Sequence, residues 1–316
     1  MKLIINCNRT LLEQKKDVTV LRQLETIKKI YSDVLYVGHG WNDGYVDLQQ
    51  AINKYNPDVI FYAADFYYND AHLPIKTNCI KIACMQDYWD DVETRLQILH
   101  SQNINKVVTK NALGLNLYIE KINNFNFIVN PSGYDDNIFK NSSIEKEYDI
   151  LISGALCKHR YPNRVRLASI ANKLSNSVNV YKRDHPGYFY NTEDIKNEQL
   201  NYCLDMNKSK IAIASTALDG LNLHMQKIWE ISATSALCLT DLNKYEPDYK
   251  LLNQHVYEID MNKSDEHIQD ELVYILKNYE TIKSNIIQYN KIVESYANLN
   301  NRALHLLNSI KSLANI

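Results

Sequence analysis

Short runs of apolar, often β-branched residues recur along the chain, separated by longer stretches in which apolar positions fall three and four apart. The first cycle is Lys2 to Asn6, an amphipathic stretch from Thr19 to Tyr31, and Val34 to Val37. The pattern continues with a helix at Asp47 to Lys54, strands at Val59 to Ala63 and Lys81 to Cys84, and a helix at Asp91 to Ser101. A strand at Lys106 to Thr109, a helix at Ala112 to Ile122 and a strand at Phe127 to Asn130 close this half. Such alternation predicts βαβ units and a parallel sheet with helices on its faces.

Residues 131 to 148 (PSGYDDNIFKNSSIEKEY) break the pattern with Pro, Gly, Ser and Asn, and are expected to be an interdomain linker. A second series follows: strands at Asp149 to Ser153, Val178 to Tyr181, Ile211 to Ala214, Ala236 to Thr240 and Val256 to Ile259. Between them lie helices at Asn163 to Leu174 and Ile195 to Met206 and a shorter one carrying Lys227 and Glu230. From Asp265 onward the chain is almost continuously helical. The expectation is an α/β protein of two Rossmann-like doubly wound domains, 1–140 and 141–316, the second carrying the terminal helices. Two such domains would face a central cleft that suits a reaction between two ligands.

Composition narrows the class. A chain of 316 residues, 45% hydrophobic and 23% charged, is in the range of globular proteins and long enough for two cores. The net charge of -2 and the scattered lysines give no nucleic-acid stripe, although peripheral membrane contact stays open. Only Leu3, Ile4 and Ile5 are consecutive apolar residues at the start, so a cytoplasmic location is expected. The six cysteines lack Cys-x-x-Cys spacing and read as reduced thiols. No Asp-x-Asp and no His/Cys/Asp cluster has ligand spacing, and no metal or other cofactor is expected.

Chemistry is expected at the carboxyl ends of the strands of the second series, where loops run into helix N-termini that attract phosphate. Gly154 directly follows a strand and permits close backbone approach to a ligand, while Lys158, Arg160 and Arg164 surround a helix start at Pro162. The same residues also suit an exposed turn with a basic rim. After the next strand come His185, Gly187 and Tyr188, which could meet a phosphate, a sugar hydroxyl or a base, or could form an ordinary turn. The loop containing Thr216, Gly220, Leu221 and Asn222 precedes a helix on which Lys227 and Glu230 share a face. Glu230 could accept bonds from two ribose hydroxyls and Lys227 could reach a diphosphate, or both could be solvated.

These segments carry a resemblance. DILISGALCKHRYPNR (149–164), the His-Pro-Gly turn at 185–187 and QKIWEISATSALCLTDL (226–242) are similar to the carboxyl-terminal domain of GT-B glycosyltransferases. Within that group the likeness is to glycosyltransferase group 1 proteins related to the spore maturation protein CgeB. ACMQDYW (83–89) and NPSGYDDNIF (130–139) extend it into the first half. The resemblance implies a nucleoside-diphosphate sugar donor in the second domain, a glycan or other hydroxyl acceptor in the first, and no essential metal. It also implies that Lys158, Arg160 and Lys227 stabilise the leaving diphosphate.

One position departs from the family. Many retaining members carry two glutamates separated by seven residues, and Asn222 stands where the first would be, which leaves the stereochemistry open. An inverting reaction would need a base from the first domain, with Asp87, His39 and Asp65 as candidates. Loops Trp41 to Tyr45 and Phe66 to His72 would contact the acceptor. The expected function is therefore a metal-independent, hexosyltransferase-type enzyme of polysaccharide biosynthesis. A sugar-nucleotide epimerase and a non-catalytic sugar-nucleotide-binding homologue are the alternatives, and DNA is a disfavoured acceptor.

Overall fold

The computed structural model describes all residues except 15–17, 65–68, 86–91, 111–124, 185–191, 218–222 and 288–289. The chain forms two compact units, one of residues 1–131 and 299–316 and the other of residues 132–298.

In the first unit the described elements are β1 (Leu3–Asn6), α1 (Arg9–Gln14), α2 (Val18–Ile30), β2 (Val34–Val37), α3 (Leu48–Tyr55) and β3 (Val59–Tyr62). They continue with β4 (Ile80–Met85), α4 (Val92–Ser101), β5 (Lys106–Thr109) and β6 (Asn126–Val129). The six strands form one parallel sheet in the order β2-β1-β3-β4-β5-β6. Alternation assigns its faces: Leu3, Ile5, Val59 and Phe61 pack on one side with Leu24 and Ile27 of α2. Ile4, Ile60 and Tyr62 pack on the other with Leu48, Ala51 and Ile52 of α3 and Leu96 and Leu99 of α4. Helix α3 starts where the Asp47 carboxylate accepts the Gln50 amide at 2.7 Å, and stops at Asn56 in the left-handed region (φ 50°).

The domain boundary differs from expectation. Helix Leu299–Ala314 belongs to the first unit, not to the second. Its buried Ala303, Leu306, Leu307, Ile310 and Leu313 complete the core above α2, and the Gln23 side chain donates to the Arg302 carbonyl at 2.9 Å. The apolar stripe was visible in sequence, but its partner, 279 residues away at the Gln23–Arg302 bond, was invisible to local pattern. The expected linker also proves structured: Tyr134, Ile138 and Phe139 are buried in the core of the second unit.

That unit contains β7 (Tyr148–Ser153), α5 (Pro162–Lys173), β8 (Val180–Arg183), α6 (Thr192–Lys208), β9 (Ser209–Ile213), α7 (Gln226–Ser232), β10 (Leu237–Thr240) and β11 (Tyr257–Glu258). Its sheet is parallel with the order β11-β10-β9-β7-β8. Both sheets are thus doubly wound, with strand order reversing beside their first strand. Loops diverge there and open a crevice at the carboxyl edge. Four of the cysteines are buried and all six are free. Among the described residues no helix is long and apolar enough to cross a membrane.

Candidate functional site

In the second unit a cavity of about 480 Å³ opens at that crevice, lined by Gly154, Arg160, Tyr161, Arg164, Lys227 and Glu230 among others. Gly154 ends β7 with φ +87°, a conformation that side chains resist. A Cβ added there would lie 2.6 Å from Lys227 Nζ and 3.0 Å from Arg164 Nη1. Two cationic tips therefore occupy the space that the missing side chain leaves.

Each cation reaches this point from a different helix. Arg164 sits in the first turn of α5, which Pro162 starts and whose preceding Tyr161 makes no side-chain capping bond. Its guanidinium lies 4.1 Å from the centre of the Tyr161 ring, and Nη1 donates to the Ala155 carbonyl at 3.3 Å. Only 3% of Arg164 is exposed, and its Nε has no hydrogen-bond partner among the described residues. Lys227, on α7, donates to Ser153 Oγ at 3.2 Å and lies 4.9 Å from the centre of the Tyr202 ring. Tyr202, on α6, shares a 3.0 Å hydrogen bond with the same Ser153 hydroxyl.

The electrostatics follow from these partners, which are all neutral. Burial lowers the Lys227 pKa, and the nearby Arg164 charge lowers it further while Glu230 pulls it back. Burial likewise lowers Arg164. Glu230 is 9% exposed, and burial raises its pKa against the opposing pull of Lys227 and of the 2.8 Å bond from Gln226 Nε2. Two desolvated cations whose hydrogen-bond partners are neutral share the cavity with one carboxylate, and an anion entering it would meet both cations.

The structure brings together Gly154, Arg160, Arg164, Lys227 and Glu230, and separates other expected residues from them. Lys158, in the turn at 158–160, is exposed and does not line the cavity. Thr216 is already engaged: its amide and hydroxyl both donate to Asp241, at 3.0 and 2.6 Å. Asn163 of α5 donates to the same carboxylate at 2.7 Å, so Asp241 ties the ends of β9 and β10 to the start of α5. His185, Gly187, Tyr188, Gly220, Leu221 and Asn222 lie outside the described residues, as do Asp65 and Asp87. His39 is exposed and lines a separate cavity in the first unit.

Sequence reasoning missed Ser153, Tyr202 and Asp241. Ser153 and Asp241 carried a faint signal, a polar residue at or just past the carboxyl end of an apolar strand. Tyr202 carried none, since it packs against the core of the second unit and reads as an ordinary core-facing aromatic on a long helix.

No protein-family model matches the chain, and no curated protein matches its sequence. The resemblance to the CgeB-related proteins thus rests on the residues quoted above. Solved structures do match in fold. A glycosyltransferase from Rickettsia africae is 13% identical with a TM-score of 0.61, the match covering 98% of each chain. HepE from Anabaena, solved in complex with UDP, is 11% identical with a TM-score of 0.65, covering 99% of this chain and 100% of its own. TarM from S. aureus, solved with UDP and α-GlcNAc-glycerol, is 12% identical with a TM-score of 0.52 over 91% of this chain and 58% of its own. The α/β architecture of two parallel sheets is that of GT-B glycosyltransferases.

Proposed function

We propose that the protein is a glycosyltransferase that binds a nucleoside-diphosphate sugar in the cavity of its second unit and transfers a hexosyl group to a glycan hydroxyl. The observation that carries this reading is the convergence of Arg164 and Lys227 on the Cβ-less face of Gly154, with neutral partners for both. A diphosphate supplies the missing anion, and the same two cations would stabilise the charge that develops when it leaves. Glu230, which lines the same cavity, would accept hydrogen bonds from ribose hydroxyls. The chemistry needs no metal in this reading, because side-chain cations meet the leaving-group charge.

The UDP bound to HepE and the UDP-glucose in a second complex of that protein support a nucleotide sugar as ligand. Membership of the CgeB-related group, a cytoplasmic location and a role in polysaccharide biosynthesis accompany the proposal. Nucleoside-diphosphate release from a panel of nucleotide sugars tests it, in the presence of candidate glycan acceptors. At least one donor should turn over with wild type, and Arg164→Met should reduce that turnover at least about tenfold, the cost of a lost charged hydrogen bond. Turnover that ignores Arg164 would refute the assignment.

A further inference from the structure

Of the six cysteines, only Cys79 and Cys157 are partly exposed. The buried ones are chemically quiet, and burial pushes the Cys203 and Cys238 thiols up. Cys79 shares a hydrogen bond with the Thr77 hydroxyl two residues earlier. Cys157 has a different setting: it stands in the loop between Gly154 and α5 and lines the cavity of the second unit.

The backbone holds it there. The Cys157 carbonyl accepts the Arg160 amide at 3.1 Å and the Tyr161 amide at 2.8 Å, which closes the turn leading into α5. Its side chain meets an imidazole, with Cys157 Sγ 3.1 Å from His159 Nδ1, and both residues line the cavity. A turn needs neither group, and a packing thiol belongs in a core, where Cys203 and Cys238 are found. A thiol open to a cavity, with a nitrogen base in hydrogen-bond reach, has the arrangement of a nucleophile.

The cavity also selects what that nucleophile can meet. Arg160, Arg164 and Lys227 line it against the single carboxylate of Glu230 among the described residues. Arg164 is 3% exposed, and its Nε has no hydrogen-bond partner among those residues, so an anionic group is the complement this cavity lacks. The electrophile that fits both features is a small disulfide bearing carboxylates, of which glutathione disulfide is the plainest example. A cationic disulfide satisfies the thiol and is repelled by the cations.

We propose that Cys157 is a modification site at which such an anionic disulfide forms a mixed disulfide, its carboxylates lying among the cations of the cavity. In the exchange the thiol proton passes to His159, Sγ bonds to one sulfur of the reagent, and the reagent's S–S bond breaks. The other half leaves as a thiolate that takes the proton back, so Cys157 is oxidised, the leaving half is reduced, and no further oxidant enters. The adduct occupies the space assigned above to the nucleoside diphosphate, and modification therefore excludes the donor. That exclusion rests on the reading in the preceding subsection; the modification itself does not.

The test uses the native full chain and disulfides of opposite charge, the dianionic dithiobis(nitrobenzoate) and the dicationic cystamine. Stopped-flow absorbance should show a fast thiol that reacts with the dianion at least about tenfold faster than N-acetylcysteinamide does, and peptide mapping should place it at Cys157. Cystamine should show no such advantage. His159→Gln should slow the fast thiol about tenfold, while Cys79→Ser should leave it unchanged. A Cys157 no faster than the reference thiol, an equal advantage for cystamine, or a rate indifferent to His159→Gln would overturn the proposal. Treatment with glutathione disulfide should add a glutathione to Cys157 and abolish UDP binding in calorimetry, with dithiothreitol restoring it; Cys157→Ser should bind UDP with or without treatment. Modified protein that binds UDP like the unmodified protein would contradict the placement of the adduct in the cavity. Wild type that is modified at Cys157 but never binds UDP would refute the nucleotide reading and leave the modification site standing.

Discussion

At the scale of single residues, the proposed donor cavity is built around two desolvated cations. Arg164 and Lys227 are held near each other with Glu230 and Asp241 only partly offsetting their charges, an arrangement that costs stability. Arg164→Met and Lys227→Met should therefore leave thermal stability unchanged or raise it by up to about 1–2 kcal/mol, while UDP affinity falls. Differential scanning calorimetry on each variant checks the sign. A clear loss of stability would mean that the cations serve the fold. Gly154, Arg164, Lys227 and Glu230 were legible in sequence because each stands at a strand end or on a helix just after one. The bonds of Thr216 to Asp241 were not legible, because its hydroxyl looks the same in sequence whether it faces a ligand or a carboxylate.

At the scale of elements, α7 sets Lys227 and Glu230 three residues apart, yet each bonds elsewhere, to Ser153 and to Gln226. The short helix thus holds a cation and an anion side by side in the cavity rather than closing them into a pair. A lowered lysine pKa has a definite consequence for binding. The ammonium loses its proton more readily in the empty site, and a bound diphosphate favours the protonated form, so binding takes up a proton where the free lysine titrates. UDP affinity should fall as pH rises from neutral to about 9, beyond the second ionisation of its phosphate at about pH 6. Calorimetry in buffers of different ionisation enthalpy should register the uptake, and Lys227→Arg, which stays protonated, should abolish it. Most described elements were foreseen, α1 excepted, with strand bounds displaced by a residue or two, while the helix expected at Ala112 to Ile122 lies outside the described residues. Strand β8 shows why bounds drift: Val178 is apolar like a strand residue, but its amide closes a turn onto the Leu174 carbonyl at 2.9 Å, and pairing with β7 begins only at Val180.

At the scale of the whole molecule, two parallel sheets with the same reversal of strand order each present a cavity at the carboxyl edge. The chain's last helix returns to cover the core of the unit that its first strand began. Ile310→Ala, at a fully buried position, should cost the first unit about 2–4 kcal/mol in denaturant unfolding and leave UDP binding intact, because the donor cavity lies in the other unit. Equal loss of both would show that the donor site depends on the first unit. The two-domain plan was legible because alternating strand and helix periods survive in sequence, whereas the membership of the last helix depends on a contact between the ends of the chain. The central claim, that Arg164 and Lys227 form a diphosphate site around Gly154, is tested most directly by calorimetric titration of the full chain with UDP, comparing wild type with Gly154→Ala and Lys227→Met. Saturable binding by wild type, weakened at least about tenfold in both variants, is the predicted result; no binding, or equal affinity in all three, would contradict it.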